Sequence, residues 1–281
     1  YRFEFFRNAV MVAVLAGAAC GLIGVYVVLR GMSYIGHGLS HAVFGGAAAA
    51  AVMGVNYFLG AGLWGIASGL LIGRVARRRI IGADAAIGVV TTVSFAVGLV
   101  LFAVYGQAHK SLEASLFGSV LGVRRGDILA VLVVGLATLA VVLLRYRPLL
   151  FATFDPDVAQ VSGEKVARME AILMTLLSLT VLVTMRVIGV LLISALLVTP
   201  AITARMLTKS FGRMLWLSPL IGSCTAFLGT NISYHTDWPP GATVILVGAV
   251  LFTSVFIATG ARGRRAVAGL DHHGGPSLRS A

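Results

Sequence analysis

Apolar stretches of about 20 residues recur along almost the whole chain, and each is long enough to cross a hydrocarbon core roughly 30 Å thick as a helix. Only 11% of the 281 residues are charged, and the mean hydropathy is +0.96, whereas a soluble domain has about 25% charged residues. The sequence therefore excludes a soluble globular protein and predicts an all-α, polytopic membrane helical bundle.

The apolar pattern predicts about nine transmembrane helices. The predicted spans are Ala9 to Leu29, Leu39 to Leu59, Gly60 to Gly73, Ala85 to Tyr105, Ile128 to Leu144, Ala167 to Met185, Ile188 to Ala204, Met214 to Ile232 and Ala242 to Thr259. One transmembrane domain over residues 1–260 would contain them all. Residues 261–281 form a polar tail, for which we expect disorder.

The formal charge of +12 comes from basic residues that lie between the apolar spans. A nucleic-acid binder would instead place them on a soluble face, so we expect no nucleic-acid partner. Lys and Arg are enriched in the cytoplasmic loops of membrane proteins. With the N-terminus outside, 16 of the 22 Lys and Arg residues fall on the cytoplasmic side, and this favours an orientation with the C-terminus inside.

The sequence contains no phosphate-binding Gly-x-x-x-x-Gly-Lys-Ser/Thr loop and no hydrolase signature of the Gly-x-Ser-x-Gly or His-Glu-x-x-His type. Any ATP hydrolysis must therefore come from a separate partner, and we expect a transport subunit rather than an enzyme. A gradient-driven secondary carrier and an integral-membrane enzyme are the alternatives. Neither an internal repeat nor a convincing cluster of acid, base and nucleophile supports them.

Two histidines stand near the start of the second span. His37 and His41 are four residues apart, so on a helix both imidazoles project from one face and can reach a single cation. Ionisable groups within spans usually mark a transport path or ligand site. A divalent-metal half-site and a hydrogen-bonded interface pair are both compatible with this spacing.

Asp84 opens the fourth span, and the predicted topology places it at the same depth as the two histidines. Its carboxylate could complete a site of two nitrogens and one oxygen. An aspartate at the start of a helix is also a common N-cap, and from the residues alone the cap is the better interpretation.

A short helix is expected between the fifth and sixth spans, at about residues 155–163. Asp155 suits the N-cap, Pro156 the first helical position and Gly163 the C-terminal stop. Its position in a cytoplasmic loop makes this helix a candidate docking element. An ordinary connecting helix is the alternative.

The remaining candidates are weaker. His109, His235 and Asp237 fall in predicted outer loops, where they could receive a metal ion or touch a binding protein, although solvated loop positions explain them as well. His272 and His273 lie in the polar tail and are given no role.

Several motifs, in order along the chain, resemble the permease subunits of bacterial zinc, manganese and iron importers of the ATP-binding cassette (ABC) type. The motifs are Met32-Ser33 followed by Leu39-Ser40-His41-Ala42, then Asp84-Ala-Ala-Ile-Gly88, Leu116-Phe117-Gly118, Phe154-Asp155-Pro156, and Gly189-Val-Leu-Leu to Pro200-Ala201. The resemblance implies the metal-type ABC importer permease fold, in the bacterial cytoplasmic (inner) membrane. It also implies a permease homodimer, cytoplasmic ATPase subunits, and an extracytoplasmic metal-binding protein.

Carried over residue by residue, the resemblance makes His41 and Asp84 ligands on the transport path, with His37 beside them. It makes the loop helix, with Phe154, Asp155, Pro156, Asp157 and Gly163, the ATPase coupling element. No permanently bound cofactor is expected. A permease for a metal chelate is the alternative within the class, but it would need no bare-ion ligands.

This chain departs from the family pattern at two positions. His37 stands where an aspartate is usual, and Ala83 stands where a glutamate often precedes Asp84. Imidazole suits zinc, whereas carboxylate oxygens suit manganese. We therefore expect Zn²⁺ to be favoured, with Mn²⁺ next.

The predicted orientation can be tested with a reporter enzyme that is active only in the cytoplasm. Fused after Arg265, the reporter should be active, because the charge distribution places the C-terminus inside. The same reporter fused in the loop containing His109 should be inactive. The reverse pattern would overturn the orientation.

Overall fold

The computed structural model describes residues 3–77, 82–105, 123–189 and 193–271. Every regular element within these ranges is a helix, which confirms the all-α prediction. The helices are α1 (Glu4–Leu29), α2 (Ile35–Val52), α3 (Tyr57–Arg77), α4 (Ala83–Tyr105), α5 (Arg125–Leu144), α6 (Tyr146–Phe154), α7 (Pro156–Val161), α8 (Val166–Ile188), α9 (Ile193–Leu207), α10 (Phe211–Thr236) and α11 (Pro240–Asp271).

Among the described residues, six helices are long and apolar enough to cross a membrane: α1, α3, α4, α5, α8 and α11. Helix α9 is a shorter apolar helix. The chain is therefore a multi-pass membrane protein by length and composition, but the predicted count of nine spans is not established.

The predicted boundary between the second and third spans is wrong. Helix α2 ends at Val52 rather than Leu59, and α3 already begins at Tyr57. Gly54 reverses the chain in the left-handed region at φ +67°, a conformation that glycine adopts readily. The Asn56 side chain then accepts a hydrogen bond from the Phe58 amide (2.9 Å). The turn has only four residues, and Met53 and Val55 are apolar, so a hydropathy average does not reveal it.

Helix α1 lies at the centre of the bundle and is buried along most of its length. Small residues allow it to approach its neighbours closely, as expected for helices surrounded by lipid. A Cβ atom on Gly17 would collide with the Gly222 carbonyl of α10, and one on Gly24 with the Leu197 carbonyl of α9. The Ser218 hydroxyl of α10 donates to the Gly21 carbonyl (2.6 Å). Backbone contacts therefore hold α1, α9 and α10 together.

Helices α4, α5 and α11 expose large apolar side chains along one face. Val89, Val93 and Val100 of α4 are each more than half exposed. Such faces suit contact with lipid or with another protein in the membrane.

The helices alternate in direction, so their termini gather at two ends of the bundle. The first, called here the basic end, brings together residues 30–34, 77 and 82–84, 145–165 and 207–211. The Arg30 side chain donates to the Ala152 carbonyl (3.2 Å) there. The opposite end, called here the far end, contains an ion pair between Glu4 and Arg125 (2.7 Å).

The close contact between α1 and α10 predicts a marked sensitivity at Gly222. A Gly222→Ala substitution should lower the free energy of unfolding by about 1–3 kcal/mol, because the added methyl group meets the backbone of Gly17. The matched control is Gly126→Ala in the first turn of α5, where nothing lies within 4 Å of the added atom. Thermal unfolding of the detergent-purified variants measures both, and equal melting temperatures would contradict the packing argument.

Candidate functional site

The turn between α1 and α2 fixes where the histidine-bearing helix begins. Gly31 adopts a left-handed conformation (φ +68°), and the amide of Met32 donates to the Val27 carbonyl (3.1 Å), which is the pattern of a Schellman motif. The Ile35 amide donates to the Met32 carbonyl (2.9 Å), and α2 starts at once. Two antiparallel helices are thereby joined by a short, hydrogen-bonded turn at the basic end.

His37 and His41 lie on one face of α2, as predicted. Their Nε2 atoms are 3.3 Å apart, and their rings meet edge to face with centroids 4.6 Å apart. The His41 ring also contacts Phe95 of α4, at 4.9 Å between centroids. His41 is half-buried and His37 is exposed, so the pair opens toward the outside of this single chain.

The spacing of the two nitrogens matches the bite of one metal ion. An ion held at about 2.0–2.1 Å from each nitrogen in tetrahedral geometry keeps those nitrogens about 3.3–3.4 Å apart. The observed separation is 3.3 Å. The separation of the two nitrogens therefore suits shared binding of one divalent cation.

Without a cation the pair is held by a single hydrogen bond, since only one of the two facing nitrogens can carry the hydrogen. The Nδ1 atom of His41 is buried and has no hydrogen-bond partner among the described residues. A metal-binding histidine usually donates its other ring N–H to a partner. His41 thus has a buried nitrogen that the described residues leave without a hydrogen bond.

Helix α4 packs against the same part of α2. A Cβ atom on Gly38 would lie 2.7 Å from the side chains of Ile87 and Thr91. The two helices start at the same end and run in the same direction, so this contact sets their relative height. Asp84 is three residues closer to the basic end than Ile87, which is about 4.5 Å along the helix axis.

Asp84 therefore does not lie at the depth of the two histidines, and the prediction of equal depth is wrong. Its side chain is exposed. Among the described residues, no three His, Cys, Asp or Glu side chains come close enough to hold a metal ion. Asp84 is also not the N-cap of α4, because the helix begins at Ala83 and places Asp84 in the first turn, where a carboxylate still interacts favourably with the helix dipole.

The predicted loop helix is present as α7, and its predicted ends are confirmed. The Asp155 carboxylate accepts a hydrogen bond from the Val158 amide (3.0 Å), and Pro156 occupies the first helical turn. Gly163 has φ +84° just beyond the helix. The exposed side chains of Val158 and Val161 leave an apolar surface on this helix.

An ionic cluster at the basic end was not predicted from the sequence. The Glu170 carboxylate of α8 pairs with the Arg77 guanidinium of α3 (2.8 Å) and attracts Arg30 electrostatically. Burial lowers the pKa of Arg30, and Glu170 acts to raise it. A cavity of about 920 Å³ opens beside these three side chains. Glu170 is a carboxylate within a predicted span, and from the sequence alone this could have marked it as a functional residue.

Other predicted candidates lie elsewhere. His235 and Asp237 are exposed at the far end, where Asp237 ends α10 in a left-handed conformation (φ 55°). His109, the Leu116-Phe117-Gly118 motif, and His272 with His273 lie outside the described residues.

Comparison with known proteins shows the family. The model of the ABC 3 transport family matches residues 2–259. A relative named "Manganese transport system membrane protein MntC", from Halalkalibacterium halodurans, is 38% identical to this chain. The alignment covers 90% of this chain and 87% of the relative. "Probable iron transport system membrane protein" of Haemophilus influenzae is 36% identical, over 89% of this chain and 92% of the relative.

The fold agrees with a solved structure. A chain of "PsaBC from Streptococcus pneumoniae in complex with Fab" matches with a TM-score of 0.81 and 33% identity, over 91% of this chain and 92% of that one. The relatives named here are called manganese and iron transporters, which gives no support to the expected preference for zinc. The family match over nearly the whole chain, together with the fold, shows that the protein belongs to the ABC 3 transport family.

Proposed function

We propose that this chain is the permease subunit of an ABC importer that moves divalent transition-metal ions into the bacterial cytoplasm. The observation that carries the proposal is the facing pair of imidazoles on α2, with nitrogens 3.3 Å apart, in a chain of this transporter family. A pair of imidazoles is a suitable ligand set for a bare divalent transition-metal ion. The permease alternates access to this site, and a separate ATPase supplies the energy.

The relatives' names favour manganese as the transported ion, whereas the ligands of this chain include a second imidazole. We infer that manganese is carried, as those names indicate, and that His37 increases the affinity of the site for zinc. An imidazole nitrogen binds zinc well, but an oxygen ligand at the same position would suit manganese better.

Within the described residues, a single chain offers an incomplete ligand set. His37 and Asp84 are both exposed, beside the exposed apolar face of α4 that includes Val89 and Val93. We propose that a second copy of the chain covers this face in a homodimer and that closing the dimer encloses the cation. Asp84 then attracts the ion at the mouth of the site on the basic end.

The basic end is the proposed cytoplasmic end, because it contains most of the Lys and Arg residues. Helix α7 lies there, with its capped ends and its exposed Val158 and Val161. We propose that the ATPase subunits dock on α7, with Phe154, Asp155, Pro156, Asp157 and Gly163 forming the coupling element. The far end would receive the ion from an extracytoplasmic binding protein.

Replacing His41 with alanine should strongly reduce uptake. In proteoliposomes that contain the complex with its ATPase, His41→Ala should reduce ATP-dependent uptake of radioactive Mn²⁺ or Zn²⁺ at least about tenfold, because one of the two ligands is lost. Ser254→Ala is the control, since Ser254 is exposed on α11 away from both ends of the bundle. Uptake unaffected by His41→Ala would remove the pair from the pathway, and uptake without ATP would favour a secondary carrier.

Replacing His37 should change the preference between ions. His37→Asp should lower the affinity for Zn²⁺ relative to Mn²⁺ by about tenfold, because an oxygen ligand replaces a nitrogen ligand. Competition binding to the purified complex, with elemental analysis, measures the ratio. An unchanged ratio would show that His37 does not determine the ion preference.

A further inference from the structure

Arg30 is placed between the proposed metal-binding helix and the proposed coupling helix. It is the first residue after α1 and opens the short turn that leads into α2. Its guanidinium reaches across to α6, the helix that leads directly into α7. One side chain thus connects two segments that are 122 residues apart in sequence.

The contact with α6 is made by two donors. Nη2 of Arg30 donates to the Ala152 carbonyl (3.2 Å), and Nε lies 3.5 Å from the Thr153 hydroxyl. That hydroxyl donates in turn to the Leu149 carbonyl (2.7 Å). The last turn of a helix has free carbonyls at the negative end of the dipole, so a cation is well matched to this position.

A buried carboxylate also attracts the guanidinium. Glu170 of α8 attracts Arg30, and Glu170 is itself paired with Arg77 of α3 (2.8 Å). The other charged groups around the adjoining cavity are Asp157, Glu164, Lys165 and Arg168. The Arg30 contact is therefore part of a network that anchors α1, α3, α6 and α8 to one another at the basic end.

We propose that Arg30 is a positioning residue that transmits the movement of the coupling helix α7 to α2 and its two histidines. The proposal rests on the proposed function. When the ATPase displaces α7, α6 moves with it, and the hydrogen bonds from Arg30 carry that displacement into the turn that starts α2. The turn at Gly31 is closed by backbone hydrogen bonds from the Met32 amide to the Val27 carbonyl and from the Ile35 amide to the Met32 carbonyl, so α2 follows the displacement of Arg30.

The experiment compares Arg30→Met with the wild-type complex in proteoliposomes that contain the permease, its ATPase, the extracytoplasmic binding protein and Mn²⁺. Methionine retains an apolar side chain but removes the charge and the donors. Three quantities are measured: Mn²⁺ affinity, ATP hydrolysis, and the number of ions imported per ATP hydrolysed. Arg74→Met is the matched control, because Arg74 is an exposed arginine at the same end, one turn from Arg77.

Arg30→Met should retain Mn²⁺ affinity and ATPase assembly, while the number of ions imported per ATP falls about tenfold, the scale expected for losing hydrogen bonds from a charged donor. In Arg30→Lys, which retains the charge but lacks the planar fork, the number of ions imported per ATP should fall by about threefold. An assembled Arg30 variant with an unchanged ratio overturns the proposal. If Arg30→Met does not assemble, Arg30→Lys decides on the same criterion.

Failure of the proposed function gives a different result. If the wild-type complex itself imports no Mn²⁺ or Zn²⁺ with ATP, the transport assignment fails, whatever Arg30 does. A loss of metal affinity in Arg30→Met would also overturn the proposal, because it would place Arg30 in binding rather than in transmission.

Discussion

The bundle depends on backbone contact between helices that carry almost no side chain where they meet. In lipid no hydrophobic force drives helices together, so close van der Waals packing must do so. Gly17 and Gly222 bring α1 and α10 into direct backbone contact, and Gly45 and Gly98 do the same for α2 and α4. The height at which His41 meets Phe95 follows from the second of these contacts.

The same packing explains why α1 is central although it is as apolar as the outer helices. Its glycines face α9 and α10, and its hydroxyl-bearing neighbour Ser218 donates to its backbone. Helices α5 and α11 have similar hydropathy but remain largely exposed. Hydropathy identifies a helix that can lie in the membrane, whereas the position of small residues decides which helix is enclosed by others.

Much of the fold could be predicted from the sequence because the signals were local. The spacing of His37 and His41 and the capping residues of α7 each depend on a few neighbouring positions. The height of Asp84 could not be predicted, since it depends on how α4 packs against Gly38. The α2 and α3 boundary was predicted wrongly for another reason, because Met53 and Val55 keep the hydropathy of this short turn high although Gly54 and Asn56 are turn residues. The Arg30 network was missed because it joins residues far apart in the chain.

The two histidines occupy the third and seventh positions of α2, so they lie only about 3–9 Å from its start on the basic end. With that end in the cytoplasm, an entering divalent ion crosses most of the membrane's electric field before it reaches the pair. A potential of 100 mV, negative inside, contributes about 2.3 kcal/mol per elementary charge over the full thickness. Occupancy of the histidine pair from the outside should therefore be voltage-dependent, whereas release to the cytoplasm crosses little of the field.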